Sequence, residues 1–212
     1  MDIISNFIVF EGGDGSGTTT QISILTDRFK NIKKPAFFPT FEPTDSSTGK
    51  LIRSALKKEV KFNPETLCFL FAADRNEHLY GEEGIVKRCE EGELVVCDRY
   101  ALSSLVYQGI ECGEELPDLL NSRFPAPEIT FFFDVKPETA LERLKSRESA
   151  ELYEYLDFQK KVRSRYIDLF KKYEKKSRIV IIDASKSVEE VCEEVWSVIC
   201  QMPIIKKNEG NF

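Results

Sequence analysis

Short apolar runs alternate with longer amphipathic stretches along the chain. The short runs are rich in β-branched and aromatic residues, which is typical of buried strands, and they occupy 7–10, 35–38, 94–97, 129–133 and 179–182. Between them apolar positions recur at helical spacing in 162–173 and 188–199, and a further helix is predicted at 64–80. Strands that alternate with helices predict an α/β domain with a parallel sheet and helices on both faces. Ligands of such folds bind at the carboxyl ends of the strands.

The composition narrows the class of protein further. The 212 residues are 31% charged and 42% hydrophobic, which describes a folded globular chain. A net charge of -6 argues against a broad nucleic-acid or anionic-membrane surface. We expect neither a signal peptide nor a membrane-spanning stretch, and the six cysteines form no C-x-x-C pair. We therefore expect a cytoplasmic protein with reduced thiols, one domain over 1–205 and a frayed tail at 206–212.

A glycine-rich turn follows the first predicted strand at once. Glycines let backbone N–H groups converge on an anion, and the helix N-terminus that follows adds partial positive charge. The spacing matches the phosphate-binding pattern G-x-x-x-x-G-K-[ST], except that Thr18 replaces the lysine; Thr19 takes the hydroxyl position beside Mg²⁺. A ligand-free tight turn is the simpler alternative. The predicted ATP phosphate site comprises Gly12, Gly13, Asp14, Gly15, Ser16, Gly17, Thr18, Thr19 and Thr20.

Two further pairs of residues carry candidate chemistry. Asp98 and Arg99 follow the apolar run 94–97, so their charges emerge at the carboxyl end of a strand. Such an aspartate can hold Mg²⁺ through water and such an arginine can bridge two phosphates, whereas a solvated salt bridge is the alternative. Phe71 and Arg75 share one helix face, where a ring can stack on a base while a guanidinium hydrogen-bonds a carbonyl. Alone, Phe71 would more often be a core residue.

These motifs together resemble the thymidylate kinase family, whose members transfer the γ-phosphoryl group of ATP to thymidylate (dTMP). The resemblance covers nearly the whole chain, and it implies a P-loop kinase fold with a five-stranded parallel sheet. It also implies ATP and dTMP as substrates, Mg²⁺ as cofactor, and a homodimer. The blocks that carry it are FIVFEGGDGSGTTTQ, FEPTDSSTGKLIR, LFAADRNEH, DRYALSSLVYQG and ELYEYLDFQKKVRSRY.

The resemblance further implies roles for single residues. Asp14 is similar to a carboxylate that hydrogen-bonds the 3′-hydroxyl of the acceptor, and Arg53 and Arg99 match arginines on its phosphate. Phe71 and Arg75 match the positions that read thymine. The remaining implied acceptor contacts are Ser103, Tyr107 and Gln108 in the nucleoside pocket and Tyr153 and Gln159 in a lid near 143–159. Positions 183–186 resemble the loop that passes the adenine.

Three departures from the family pattern concern positive charge. Thr18 supplies no charge, Phe41 stands where relatives often place arginine, and the lid candidate 148–159 contains four acidic residues without Lys or Arg. Because phosphoryl transfer depends on positive charge around the transferring group, we expect slow catalysis. We hypothesise that Arg143 or Arg147, with Arg99 and Mg²⁺, partly replaces the lysine.

The sequence leaves several alternatives open. Beside a thymidylate kinase, the chain could be a catalytically silent nucleotide-binding homologue, or a kinase for another nucleoside or monophosphate. Glu42 could hold an arginine of the acceptor site or cap the helix that begins near Ser47. The single histidine, His78, is predicted to be either a solvated residue or one that lies at the C-terminal end of its helix, rather than a metal ligand.

Overall fold

The computed structural model describes residues 2–144, 156–173 and 177–207, in which strands and helices alternate. The strands are β1 (Ile3–Gly12), β2 (Phe37–Phe41), β3 (Leu94–Asp98), β4 (Ala126–Asp134) and β5 (Arg178–Asp183). The helices are α1 (Thr18–Phe29), α2 (Ser47–Leu56), α3 (Pro64–Tyr80), α4 (Ile85–Glu90), α5 (Ala101–Cys112), α6 (Glu115–Asn121), α7 (Pro137–Leu144), α8 (Leu156–Tyr173), α9 (Val188–Ile199) and α10 (Pro203–Lys206).

The strands of the described ranges form one five-stranded parallel sheet in the order β2-β3-β1-β4-β5. This confirms the predicted fold class. The first predicted edge strand lies two or three residues too early, because pairing with β3 begins at Phe37 and continues to Phe41. Pro35 has no N–H group to donate to a ladder, whereas the polar Thr40 stays paired with Cys97.

Helices cover both faces of the sheet, as the apolar strands require. Ile8 and Phe10 of β1 pack into the cluster that contains α1 and α9. Phe7 and Val9 point the opposite way, into the cluster that contains α3 and α4. All four side chains are at most 1% exposed, and burial of each contributes about 2 kcal/mol. The two-residue alternation explains why the strand reads as a continuous apolar run rather than a half-polar one.

The helix starts follow capping signals in the sequence. Asn63 accepts a hydrogen bond from the backbone N–H of Thr66 at 2.7 Å, with Pro64 in the first turn, which fixes the start of α3 as predicted. Ser46 caps α2 by accepting from Gly49 N–H at 3.0 Å. Glu42 is therefore not the cap of α2, and one of its two predicted roles is removed.

The carboxyl ends of β1, β2 and β3 are tied together by the backbone. Glu42 N–H, just after β2, donates to the carbonyl of Asp98 at 3.0 Å. Arg99 N–H, just after β3, donates to the carbonyl of Phe10 at 2.8 Å. These bonds hold the three segments that follow the strands at one edge of the sheet.

Three other sequence expectations concern the thiols, membrane-spanning helices and the C-terminal tail. All six cysteines are free thiols, and Cys68, Cys89, Cys97 and Cys192 are buried. Among the described residues, no helix is long and apolar enough to cross a membrane. Lys206 ends α10, so the predicted tail begins within a short helix, and 208–212 lie outside the described residues.

Candidate active site

The glycine-rich turn joins the end of β1 to the start of α1. Gly15 and Gly17 have φ angles of +79° and +97°, a region that L side chains rarely adopt. A Cβ atom on Gly15 would lie 2.6 Å from the carbonyl oxygen of Ala140 in α7. Within the described ranges no side chain caps the start of α1, so the N–H groups of its first turn are suited to an anion.

A cleft of about 740 Å³ opens at the carboxyl ends of the strands, beside this turn. Four predicted site residues of the described ranges are not among those that line the cleft. Gly12 and Ser16 are buried, and Gln159 and Arg143 belong to α8 and α7. The predicted site residues that line the cleft are Gly13, Asp14, Gly15, Gly17, Thr18, Thr19, Thr20, Arg53, Phe71, Arg75, Asp98, Arg99, Ser103, Tyr107 and Gln108.

The carboxylate of Asp14 joins three segments of the chain. Its Oδ1 accepts hydrogen bonds from Arg99 Nη2 and, at 3.3 Å, from the hydroxyl of Tyr107. Its Oδ2 accepts from Gln159 Nε2 of α8 at 2.9 Å, and Asp14 N–H donates back to Gln159 Oε1 at 3.2 Å. Burial raises the pKa of Tyr107, so its hydroxyl keeps its proton and donates. The glycine turn, α5 and α8 therefore meet at one carboxylate.

Arg99 is held in an uncommon conformation. Its φ angle of 68° is in the left-handed region, a strained position for a long side chain. Nη1 lies 3.5 Å from Ser103 Oγ, and the guanidinium stacks 5.1 Å from the ring centre of Tyr107. Burial opposes its charge, but the acidic groups around it, with the carboxylates of Asp14 and Asp98 among them, together raise the pKa of Arg99. Arg99 is therefore a fixed cation at the boundary of the glycine turn and the cleft.

Glu11, the last side chain before the glycines, is a residue that sequence reasoning missed. It is fully buried, and its Oε1 accepts from the N–H groups of Tyr100 and Ser103 at 3.0 and 3.2 Å. Its Oε2 accepts from the hydroxyls of Ser103 and Tyr166 at 2.5 and 2.8 Å. Burial raises its pKa to about 7, against these hydrogen bonds and the charge of Arg99. A charged residue at the end of an apolar strand was the available signal.

Stability is expected to fall as pH rises from about 4.5 to about 7, because native Glu11 keeps a proton that the unfolded chain has already lost. The shift corresponds to about 3 kcal/mol in the free energy of unfolding. Urea denaturation of wild type and Glu11→Gln at pH 5 and pH 8 measures it. The variant should lose less stability over this range, whereas the exposed control Glu82→Gln should follow wild type. Parallel profiles for wild type and Glu11→Gln would contradict the assignment.

Three predicted site residues hold a buried oxygen atom that has no hydrogen-bond partner among the described residues. They are Asp98 Oδ1, Ser16 Oγ and Gln108 Oε1. The other carboxylate oxygen of Asp98 accepts from the hydroxyl of Thr19 at 2.7 Å. Because a buried oxygen without a partner costs free energy, these atoms are suited to a ligand. The carboxylate of Asp98 and the hydroxyl of Thr19 are oxygen donors of the kind that Mg²⁺ prefers, so these residues fit the predicted metal.

Arg75 lies beneath the cleft and is 1% exposed. Glu42 Oε2 accepts from both its Nε, at 2.9 Å, and its Nη2, at 2.6 Å. Its Nη1 donates to Ser104 Oγ at 3.1 Å and to Asn121 Oδ1. These bonds occupy four of its five N–H groups, and the second N–H group of Nη2 has no partner among the described residues. Arg75 and Phe71 both line the cleft. Glu42 therefore holds an arginine of the cleft, which was the other of its two predicted roles.

Phe41 carries no charge, but its ring contacts a cation of the cleft. The guanidinium of Arg53 lies 5.0 Å from the ring centre of Phe41 and donates to the carbonyl of Pro43. Asp45 adds a carboxylate oxygen 3.7 Å from Arg53 Nη2. The aromatic residue thus supports an arginine on the cleft wall instead of supplying one.

The structure describes only part of the predicted lid. Arg143 Nη2 donates to the carbonyl of Ala184 at 2.9 Å, in the loop that follows β5. Asp157, in the first turn of α8, is exposed. Arg147, Tyr153 and the other acidic lid residues lie outside the described residues.

Of the two alternatives predicted for His78, the structure supports the position at the C-terminal end of its helix, since His78 lies in the last turn of α3, and it excludes the solvated one. Its side chain is 11% exposed, with Nδ1 3.1 Å from Glu42 Oε1 and Nε2 2.7 Å from Thr40 Oγ1. The topology brings β2 over the end of α3, which sequence spacing does not reveal. Glu42, His78 and Cys97 place one potential metal ligand each within 4.8 Å of one another. Each of these atoms already has a hydrogen-bond partner, since Cys97 Sγ donates to the carbonyl of Arg99 at 3.0 Å.

Comparison with known proteins agrees with this geometry. The family model described as thymidylate kinase matches residues 10–195. A protein of Treponema pallidum (strain Nichols) is 44% identical over 199 residues, 92% of this chain and 95% of its own. One from Methanocaldococcus jannaschii is 40% identical over 198 residues, with coverages of 93% and 97%. One from Aster yellows witches'-broom phytoplasma is 38% identical over 197 residues, with coverages of 87% and 92%. The names of all three contain the words thymidylate kinase.

Proposed function

The chain belongs to the thymidylate kinase family, and from that premise we propose that it transfers the γ-phosphoryl group of ATP to dTMP. An oxygen of the dTMP phosphate attacks the γ-phosphorus, the bond to the β,γ-bridging oxygen breaks, and ADP and dTDP leave. The observation that carries the proposal is the carboxylate of Asp14. It belongs to the phosphate loop, yet it is hydrogen-bonded by Arg99 and Tyr107 of the acceptor cleft. Donor and acceptor substrates would therefore meet at this point.

The donor side is formed by the glycine turn and the start of α1. The N–H groups of Gly15, Gly17 and Thr18 to Thr20 are proposed to bind the ATP phosphates. Thr19 and Asp98 would hold Mg²⁺, with the partnerless Oδ1 of Asp98 as the acceptor for a metal-bound water. When bound, Mg²⁺ neutralises charge on the phosphate oxygens.

The acceptor side is formed by α2, α3 and α5. We assign Arg53 and Arg99 to the dTMP phosphate, and Asp14 to the 3′-hydroxyl, which would share Oδ2 with Gln159. The pyrimidine would stack on Phe71 and meet the free N–H group of Arg75. The partnerless Gln108 Oε1 offers the base an acceptor within the same cleft.

We propose a second role for Arg143 on the donor side, beside the predicted one. Its bond to the Ala184 carbonyl favours a role in holding the loop that passes the adenine. Replacement of the missing lysine by Arg143 or Arg147 stays a prediction, as do the acceptor contacts of Tyr153.

We also propose that the protein is a homodimer. Phe69 and Tyr80 of α3 are each 53% exposed, and Leu119 of α6 is 67% exposed. Large exposed apolar side chains on neighbouring helices favour a protein interface. A cytoplasmic location and a single domain over 1–205 stay predictions.

A ligand series with a coupled assay tests the function. We expect dTMP to raise the melting temperature, and ATP with Mg²⁺ and dTMP to release ADP. Thymidine and deoxyuridylate should give lower kcat/KM values than dTMP. Stabilisation by dTMP without ADP release would favour the catalytically silent homologue. Faster ADP release with another acceptor would instead indicate a different kinase.

A further inference from the structure

A chain of hydrogen bonds runs from β2 through α3 to the base-reading arginine. Thr40 Oγ1 contacts His78 Nε2 at 2.7 Å, and His78 Nδ1 contacts Glu42 Oε1 at 3.1 Å. Glu42 Oε2 then contacts Arg75 Nε and Nη2 at 2.9 and 2.6 Å. Arg75 and His78 are three residues apart and therefore lie on one face of α3. Together they hydrogen-bond both oxygens of the Glu42 carboxylate.

The donors and acceptors of this chain can be assigned. An ionised carboxylate only accepts, so the proton between His78 and Glu42 is on Nδ1 of the imidazole. In the neutral ring Nε2 is then an acceptor, and the hydroxyl of Thr40 donates to it. The Glu42 contact therefore selects the tautomer, and the Thr40 hydroxyl, which can donate or accept, completes it by donating to Nε2.

The pairing of Glu42 with Arg75 shows what His78 contributes. An arginine and a carboxylate prefer two parallel bonds, one to each oxygen. Here both N–H groups of Arg75 donate to the same oxygen, Oε2, while His78 occupies Oε1. Without His78, the carboxylate can rotate to offer Arg75 both oxygens. Ser104 and Asn121 hold Nη1, so the change would fall on the Nη2 side of the guanidinium.

We propose that His78 is a positioning residue for base recognition, one that sets the direction of the free Arg75 N–H group by occupying Glu42 Oε1. The inference rests on the proposed thymidylate kinase activity and assigns no contact between His78 and substrate. Its consequence is selectivity for a base with a carbonyl oxygen at the position that Arg75 reads. A base with an amino group there has no acceptor to offer.

The test compares dTMP with 5-methyl-deoxycytidylate, in which an amino group replaces that carbonyl. His78→Phe keeps the ring volume but loses both nitrogens, and we expect KM for dTMP to rise about tenfold with kcat nearly unchanged. The ratio of kcat/KM for the two substrates should fall by a similar factor. His78→Asn retains an N–H donor for Glu42 and should recover most of both losses.

Several outcomes would overturn the proposal. Equal losses on both substrates, or a loss in kcat alone, would show that His78 acts only through the fold. Equal behaviour of His78→Phe and His78→Asn would do the same. If His78→Phe does not fold, Thr40→Val tests the same chain, with an expected loss of selectivity of about threefold; no loss rejects the proposal. Wild-type activity on dTMP, measured first, tests the proposed function separately.

Discussion

Thr18→Lys is expected to raise kcat for dTMP phosphorylation by about a hundredfold, the usual effect of one electrostatic donor at a transferring group. The cations that line the cleft in the described part of the chain are Arg53, Lys57, Arg75 and Arg99. Of these, Arg99 is the one that hydrogen-bonds the glycine turn. A lysine at 18 adds charge beside the β- and γ-phosphates. Turnover at saturating ATP, Mg²⁺ and dTMP measures the gain.

A matched control separates local charge from net charge. Ser23→Lys adds the same charge on an exposed position of α1 and should leave kcat near that of wild type. No rise for Thr18→Lys would show that the site already receives enough positive charge. In that case Arg143→Met and Arg147→Met should lower kcat strongly in wild type, which would favour their predicted role as substitutes.

Arg99→Met is expected to lower kcat by up to about a thousandfold, with a smaller rise in KM for dTMP. The side chain is already fixed by Asp14, Ser103 and Tyr107, so its charge needs no reorganisation when the phosphoryl group moves. Arg99→Lys keeps the charge but loses the planar fork, and it should fall between wild type and Arg99→Met.

The control for this series is an arginine of similar burial that lies outside the cleft. Arg88 pairs with Glu83 and Glu93 and stacks over Phe38, so Arg88→Met should leave kcat unchanged after correction for folded fraction. A loss for Arg99→Met confined to KM would mean that Arg99 binds the acceptor without acting on the transferring group.

The fold could be predicted because its signals are local. Each buried strand of the parallel sheet is a short apolar run, and α3 carries its own capping residue in Asn63. The glycine turn could also be predicted from the sequence, because Gly15 and Gly17 adopt conformations that other residues avoid. The resemblance then placed Phe71, Arg75 and Arg99 together, and they do line one cleft.

The supporting residues could not be predicted, because their partners are distant in sequence. Glu11 is held by Tyr166, 155 positions away, and His78 by Thr40 and Glu42 from another strand end. No local sequence pattern around a single carboxylate or histidine predicts a hydrogen-bond partner that is distant along the chain. Similarly, Phe41 in the sequence indicates the loss of a cation. Its contact with the guanidinium of Arg53 depends on how α2 and β2 are placed in the folded chain.

The confinement of Arg75 has a thermodynamic consequence for substrate choice. A free arginine side chain retains about 2 kcal/mol of rotamer entropy, and a surface arginine would lose much of it on grasping a base. Arg75, 1% exposed and bonded to three neighbours, has lost that freedom during folding. Docking of a pyrimidine therefore orders no new side chain at this point. Selectivity for the base is therefore built into the folded protein before substrate binds. It would decrease if the contacts between α3 and β2 became looser.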